Sequence, residues 1–142
     1  MKTTIAILAA IASLAAGSAQ ADGIRPDHPL LGVWKLSFPD GSCEEVYRIS
    51  ANGRILITSA EEVGESTFTV TDQPLKSGFY KWVDKVIKTN GKPDCSGEIT
   101  PVGDVATLYV VFEPSANRFL MCAQERMESC FAPLVRVTEG QI

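Results

Sequence analysis

The residue that most narrows the possible chemistry is His28, the single histidine in a chain of 142 residues. A Ser-His-Asp triad or a zinc site needs a histidine whose ring is held in place by neighbouring groups. His28 instead lies between Pro26 and Pro29 in a short polar stretch. We therefore expect it to be a solvated residue of a loose segment, and we predict no catalytic residue there.

Two pairs of adjacent carboxylates are the next candidates, Glu44 with Glu45 and Glu61 with Glu62. Hydrolysis of a glycosidic bond needs two carboxyl groups that face each other across the sugar. Adjacent residues of a strand point to opposite faces, so neither pair converges in this way. We interpret both pairs as solvated edges or loops. We predict a protein that is not an enzyme and uses no cofactor.

The four cysteines favour disulfides over a metal site. Clustered ligands such as C-x₂-C are typical of structural zinc, and no two cysteines here are that close in sequence. Four cysteines allow three pairings. We favour Cys43 with Cys95 and Cys122 with Cys130, because the short gap in the second pair suits the two ends of one hairpin.

The beginning of the chain predicts export. Residues 1–21 contain Lys2, an apolar stretch over residues 5–16 and an A-x-A cleavage site at residues 19–21, which together are typical of a signal peptide. Disulfides agree with such a route, so we predict a periplasmic or secreted protein without a membrane anchor. The net charge of −4 argues against electrostatic binding to nucleic acid.

The remainder of the chain reads as a series of short strands. Residues 67–71 alternate polar with apolar side chains, and residues 105–113 form an apolar run that ends at a turn. Asn52-Gly53 is a strong hairpin signal. Residues 79–88 fit a helical period but are rich in aromatic and β-branched residues, and we favour a strand. Residues 99–102 predict a short edge strand, because proline cannot donate to a central ladder.

These elements predict a mainly β protein. Strands joined in sequence by short turns form a meander, which must bury one face. We predict a small antiparallel up-and-down β-barrel of about eight strands over residues 31–138. Residues 22–30 form a flexible N-terminal arm in this prediction, and residues 139–142 form a tail. The alternative is a β-sandwich, or a barrel with one helix at residues 79–88.

Gly32-Val33-Trp34 opens the first predicted strand, and Arg136 lies near the end of the last one. This arrangement resembles the lipocalin or calycin barrels, and more widely the small exported bacterial proteins of lipocalin-like type, over residues 31–137. The resemblance implies that Gly32, Trp34 and Arg136 close one end of the barrel, with the guanidinium over the indole. The same G-x-W motif also begins avidin barrels and a family of periplasmic metalloprotease inhibitors.

The resemblance further implies that a small, mostly apolar molecule binds in the mouth of the barrel. Large aromatic side chains would line such a cavity or fill it, and we expect the interior to be more filled than empty. The candidate ligand-binding residues are Tyr47, Phe68, Trp82, Tyr109 and Phe112.

The alternative function is that of an inhibitor or immunity-type factor that binds an enzyme. A loop closed by Cys122 and Cys130 would be held in one conformation, which lowers the entropy lost on docking. The partner-facing residues in this interpretation are Glu125, Arg126, Met127 and Glu128. In either case we expect a monomer. A cluster of lysines at positions 76, 81, 85, 88 and 92 is interpreted as a solvated face.

Overall fold

A computed structural model describes residues 23–138. The predicted signal peptide (residues 1–21) and the C-terminal tail (139–142) lie outside the described residues. Within these described residues eight strands follow one another, and a single 3₁₀ turn, Met127–Ser129, precedes the last strand. The strands are β1 Gly32–Ser37, β2 Glu44–Ser50, β3 Arg54–Ser59, β4 Glu62–Val70, β5 Tyr80–Thr89, β6 Val105–Phe112, β7 Arg118–Cys122 and β8 Cys130–Arg136.

Each strand pairs antiparallel with the next, and β8 returns to pair with β1, so the sheet is a closed barrel. The closing ladder places Trp34 opposite Arg136 and Lys35 opposite Val135. The prediction of a small antiparallel barrel of eight strands is confirmed. Its basis is the period of two, since alternate residues of every strand face the interior and bury their apolar side chains there.

The ambiguous segment is β5, a strand rather than a helix. Its ladder with β4 pairs Glu65 with Lys88 and Ser66 with Val86, which leaves Ile87 as an extra residue in a β-bulge. Trp82 and Val86 occupy inward positions, Val83 occupies an outward one, and Ile87 is the bulged residue, so the spacing of these apolar residues imitates a helical period. The short strand predicted at residues 99–102 is wrong, because these residues lie in the irregular β5–β6 loop, residues 90–104.

The two ends of the barrel differ. The N-terminal segment and the turns after β2, β4 and β6 meet at one end, which we call the closed end. The β5–β6 loop and the hairpin between β7 and β8 meet at the other, the open end. Both disulfides lie at the open end, Cys43–Cys95 between two loops and Cys122–Cys130 across the β7–β8 hairpin. These are the pairings that the spacing favours.

The solvated position expected for His28 is wrong. Its side chain is only 3% exposed, and Leu30 beside it is fully buried. The ring lies edge-on to Tyr80, Nε2 is 3.1 Å from the carbonyl oxygen of Thr71, and Nδ1 accepts a hydrogen bond from the Leu30 N–H at 3.1 Å. These partners fix the neutral Nε2–H tautomer. Burial lowers the pKa of His28, because charging the ring would require desolvating the cation.

Candidate functional site

Arg136 and Trp34 seal the closed end. The Cζ atom of Arg136 lies 4.1 Å from the centre of the Trp34 ring, within cation–π range. The guanidinium also donates to the carbonyl oxygens of Leu31 and Pro29, each at 2.8 Å. A Cβ atom on Gly32 would lie 2.6 Å from Nη1 of Arg136, and the φ of Gly32 is +126°, so this position requires glycine.

Aromatic rings fill the half of the interior next to this seal. Trp34 packs against Phe119 with ring centres 4.7 Å apart, and Phe112 lies 5.4 Å from Phe119 and 5.6 Å from Tyr80. The Nε1–H of Trp34 donates to the Leu30 carbonyl at 2.8 Å. This half leaves no room for a ligand between its rings and serves as a packed base for the rest of the barrel.

Three adjoining cavities share Tyr47 in their walls. Two lie in the other half of the interior, and the third reaches the outer face of the sheet, where Phe131 and Pro133 are exposed. Two have volumes of about 160 Å³ each, and the third, between β8 and the β1–β2 loop, has about 420 Å³. We call them the open-end cavities. Their combined apolar walls are formed mainly by Leu36, Phe38, Pro39, Ile57, Trp82, Val86, Ala106, Leu108, Met121, Phe131, Ala132 and Pro133.

Hydrogen bonds fix the centre of these cavities. The Tyr47 hydroxyl donates to Oε2 of Glu45 at 2.7 Å, and the Ser59 hydroxyl donates to Oε1 at 2.8 Å. The Cys95 N–H donates in turn to Ser59 Oγ at 3.0 Å, which connects the β5–β6 loop to the interior. Burial, together with the adjacent Glu45, holds the pKa of Tyr47 well above its ordinary value. The phenol therefore keeps its proton and remains a hydrogen-bond donor to Glu45.

Two other carboxyl groups face the same space with shifted acidities. Burial raises the pKa of Asp84 to about 6, although a backbone hydrogen bond at Ala106 opposes the shift. Burial also raises the pKa of Glu62, against a hydrogen bond with Thr100. Carboxyl groups that are desolvated in a cleft are typical of functional sites.

The candidate ligand-binding residues separate into three groups. Tyr47 and Trp82 line the open-end cavities, whereas Phe68 and Phe112 belong to the packed core. The expectation that Tyr109 faces the interior is wrong: the inward residues of β6 are Ala106, Leu108, Val110 and Phe112, so Tyr109 belongs to the outward set. The interior is therefore packed around Trp34 and Phe119 and hollow around Tyr47. A separate cavity of about 390 Å³ lies at the closed end, between residues 23–28 and the β2–β3 turn.

The acidic residues at this site correct a further expectation. Glu62 is only 7% exposed and Glu45 is half-buried, so these members of the two carboxylate pairs are not solvated. Each occupies an inward position, Glu45 two residues before Tyr47 and Glu62 opposite Ser59. Asp84 follows the same alternation from Trp82. If the inward positions of each strand are followed from its buried apolar residues in steps of two, Glu45, Glu62 and Asp84 all fall on the inward face.

The proposed partner-facing loop lines none of the open-end cavities and contacts the turn after β4. Glu125, Arg126 and Glu128 are exposed, and the side chain of Met127 is 54% exposed. The Ser129 hydroxyl bonds the carbonyl oxygens of Gln124 and Arg126, and Ser77 donates to Glu125 at 2.5 Å. The hairpin is thus held from within by Ser129 and the disulfide, and from outside by the β4–β5 turn through Ser77.

Comparisons with protein-family models, with curated proteins and with solved structures found no match. Within residues 23–138 no helix is long and apolar enough to cross a membrane. The same residues contain no cluster of three or more histidine, cysteine or acidic side chains placed to hold a metal ion. The two disulfides indicate an oxidising environment, outside the cell or in the periplasm.

Proposed function

We propose that the protein is an exported, non-catalytic, lipocalin-like barrel that binds a small molecule with a mostly apolar body in the open-end cavities. The observation that carries this proposal is the uneven interior: aromatic rings pack one half, whereas the other half keeps apolar space around Tyr47. Ligand sites are mostly apolar hollows of about 300–1,000 Å³ with a few fixed polar groups, and the open-end cavities match that description.

The lipocalin-like arrangement supports the same function, because a barrel that is sealed by side chains at one end and open at the other admits a ligand to its interior through the open end. Export through a signal peptide is consistent with the disulfides, and we propose a periplasmic or secreted location on that basis.

A cavity-filling substitution tests the proposal. Gly64 lines one of the open-end cavities, and a Cβ there meets only the Lys88 carbonyl at an ordinary 3.7 Å. Gly64→Leu should fill the space, whereas Val63→Leu adds volume to a neighbouring residue whose side chain is exposed outside the barrel. Saturation-transfer NMR with benzyl alcohol and cyclohexanol should detect binding to the natural sequence and to Val63→Leu, and much weaker binding to Gly64→Leu. Absence of binding to the natural sequence would refute the proposal, and equal binding to all three proteins would refute a site in the cavity that Gly64 lines.

The second candidate function is binding to a protein partner through the open end. It is favoured by the exposure of apolar side chains on and next to the β5–β6 loop, where Ile99 is 58%, Val102 61% and Val105 57% exposed. Capture of one protein from periplasmic extract, lost on Ile99→Asp and on charge reversal at Glu125 and Glu128, would support this function. Capture that is unaffected by all of these changes would remove it.

A further inference from the structure

The outer surface of strand β5 and its two neighbours carries a row of positive charges. Outward and inward residues alternate along a strand, and the register places Lys85 outside, between Thr67 of β4 and Val105 of β6. Lys81 and Lys88 point to the same side, and all three lysines are exposed. We define the basic face as the outward residues of these strands: the odd-numbered positions of β4 (63–69) and β6 (105–111), with Lys81, Val83, Lys85 and Lys88 of β5.

The lysines of the basic face have no anionic partner in the described part of the chain. The ion pairs there involve other basic side chains, and Glu65, the acidic member of the basic face, is bound to Arg54 of β3 at 2.8 Å. Asp94 and Asp104 of the adjoining loop line the open-end cavities. The whole chain is acidic, with 17 acidic and 13 basic residues. A local positive surface on a negative protein attracts anions to that one face.

Exposed aliphatic side chains adjoin the lysines. Val105, which pairs with the central lysine across the ladder, is more than half exposed, and Val63 at the start of β4 is 46% exposed. Val102, also more than half exposed, lies beside β5, because the N–H of the next residue, Gly103, donates to the Val86 carbonyl at 2.8 Å. Exposed apolar side chains grouped beside unpaired charges are typical of an interaction surface.

The dimensions and composition of the basic face favour a lipid surface over a protein partner. Lys81 and Lys88 are separated by roughly 20 Å along β5, so their ammonium groups would meet different headgroups and not one compact site. Protein interfaces are enriched in arginine and aromatic residues and depleted in lysine. The basic face instead has three lysines, no arginine and a single aromatic ring, that of Tyr109. Long lysine side chains, aliphatic residues and an amphipathic ring are typical of groups at a membrane interface.

We propose that the basic face is a docking surface for an anionic membrane. The lysine ammonium groups contact lipid phosphates, while Val63, Val102 and Val105 enter the headgroup region. The contact is peripheral and reversible, because it rests on a few charges and a small apolar area. It is separate from the proposed function, since it concerns the outer surface and not the occupant of the open-end cavities.

Sedimentation of the natural sequence with lipid vesicles tests the proposal. Vesicles of equal parts phosphatidylcholine and phosphatidylglycerol should bind it at least about tenfold more strongly than vesicles of phosphatidylcholine alone, because each lysine near an anionic surface strengthens binding about fivefold. Raising the salt concentration to about 1 M should remove most of this difference, since exposed charges are then screened within about 3 Å.

Two charge-matched double variants locate the effect. Lys85→Gln with Lys88→Gln should weaken binding to the anionic vesicles about ten- to thirtyfold. Lys35→Gln with Arg118→Gln lowers the net charge equally but on β1 and β7, outside the basic face, and should change binding by less than about threefold.

A second pair of variants tests the aliphatic contribution. Val105→Thr keeps the branched shape that suits a strand and makes the side chain polar, and it should weaken vesicle binding about two- to fourfold. Val135→Thr makes the same change at an exposed position of β8, outside the basic face, and should have no effect.

The outcomes decide the proposal. Equal sedimentation of the natural sequence with both kinds of vesicle, or an equal loss in the two double variants, would overturn it. Retention on a poly-aspartate resin without binding to anionic vesicles would also overturn it and assign the basic face to an acidic protein. The comparison between lipid compositions needs no variant, so a poorly folded variant would not prevent a decision.

Discussion

Asp84→Asn should stabilise the folded protein at neutral pH, and the gain should vanish in acid. Asp84 faces the interior from β5, opposite Phe68 on one side and Ala106 on the other, and forms no ion pair within residues 23–138. Its pKa rises from 3.8 to about 6, chiefly through burial and further through the like charge of Asp104. Asparagine keeps the shape of the side chain and removes the charge.

The direction of the pH dependence of stability follows from the number of protons that the folded and unfolded states bind. Between pH 3.8 and about 6 the folded protein holds a proton on Asp84 that the unfolded chain has lost, so stability decreases as pH rises through this window. A shift of roughly two units corresponds to about 3 kcal/mol if none of the charge is screened. Because Asp84 is only partly buried, solvent reduces this to about 1–2 kcal/mol.

The assay is urea unfolding at several pH values from 3.5 to 8, followed by tryptophan fluorescence with the disulfides intact. Asp84→Asn and the natural sequence should be about equally stable near pH 3.5. Relative to the natural sequence, the free energy of unfolding of the variant should increase progressively between pH 4 and 6 and be about 1–2 kcal/mol higher above pH 6.5. Glu98→Gln serves as the control for a change in net charge at an exposed position.

A difference between the two proteins that does not change with pH would refute the reasoning, as would a variant that is less stable at pH 7.5. A difference that does not change with pH would mean that folding leaves the pKa of Asp84 unchanged, and a less stable variant would mean that favourable contacts hold the carboxylate in its ionised form. The expected result would instead show that the fold retains a destabilising charge, which is typical of residues kept for binding.

Four other substitutions give further expected outcomes, all measured by urea unfolding. Arg136→Met should lower the free energy of unfolding by about 3 kcal/mol, because it removes charged hydrogen bonds to buried carbonyls and the cation–π contact. A decrease of less than about 0.5 kcal/mol would contradict the role of Arg136 in sealing the barrel. Trp34→Phe should cost roughly 1–2 kcal/mol more than Trp82→Phe, since only the first loses a hydrogen bond, and an equal cost would show that the Trp82 N–H has a partner. The contribution of His28 to the free energy of unfolding should fall as pH drops below 6.5, because the unfolded chain protonates the ring more readily than the folded protein does. Since Asp84 acts in the opposite direction over this range, the fall is measured as the difference between the natural sequence and His28→Gln. His28→Gln should lack this fall, and an unchanged pH profile would contradict the buried neutral ring.

The strand order and the closed barrel could be predicted because they depend on local signals. Asn52-Gly53 ends one hairpin, and the alternation in residues 67–71 identifies an inward face. The position of Tyr109 could not be predicted from its aromatic character, because the face on which a strand residue lies depends on register and not on residue type. The β-bulge at Ile87 shows the same limit, since the extra residue is visible only against its partner strand.

The candidate site was only partly accessible from the sequence for a related reason. Glu45 and Glu62 belong to adjacent pairs that look solvated, and their burial depends on which member of each pair shares a face with Tyr47 or Ser66. His28 was misjudged because its burial depends on contacts with Thr71 and Tyr80, which are distant in sequence. The empty space beside Trp82 results from the sizes of side chains on several strands together.

The seal at Arg136 and the attachment of the β5–β6 loop at Cys95 have a joint consequence for kinetics. A molecule held in the interior would enter and leave through the open end, and residues 90–104 lie across that end. The residence time of the molecule would then depend on how far the β5–β6 loop can move, whereas its equilibrium occupancy would depend on the inward side chains. Evolution could therefore tune the speed of exchange and the strength of binding through different parts of the chain.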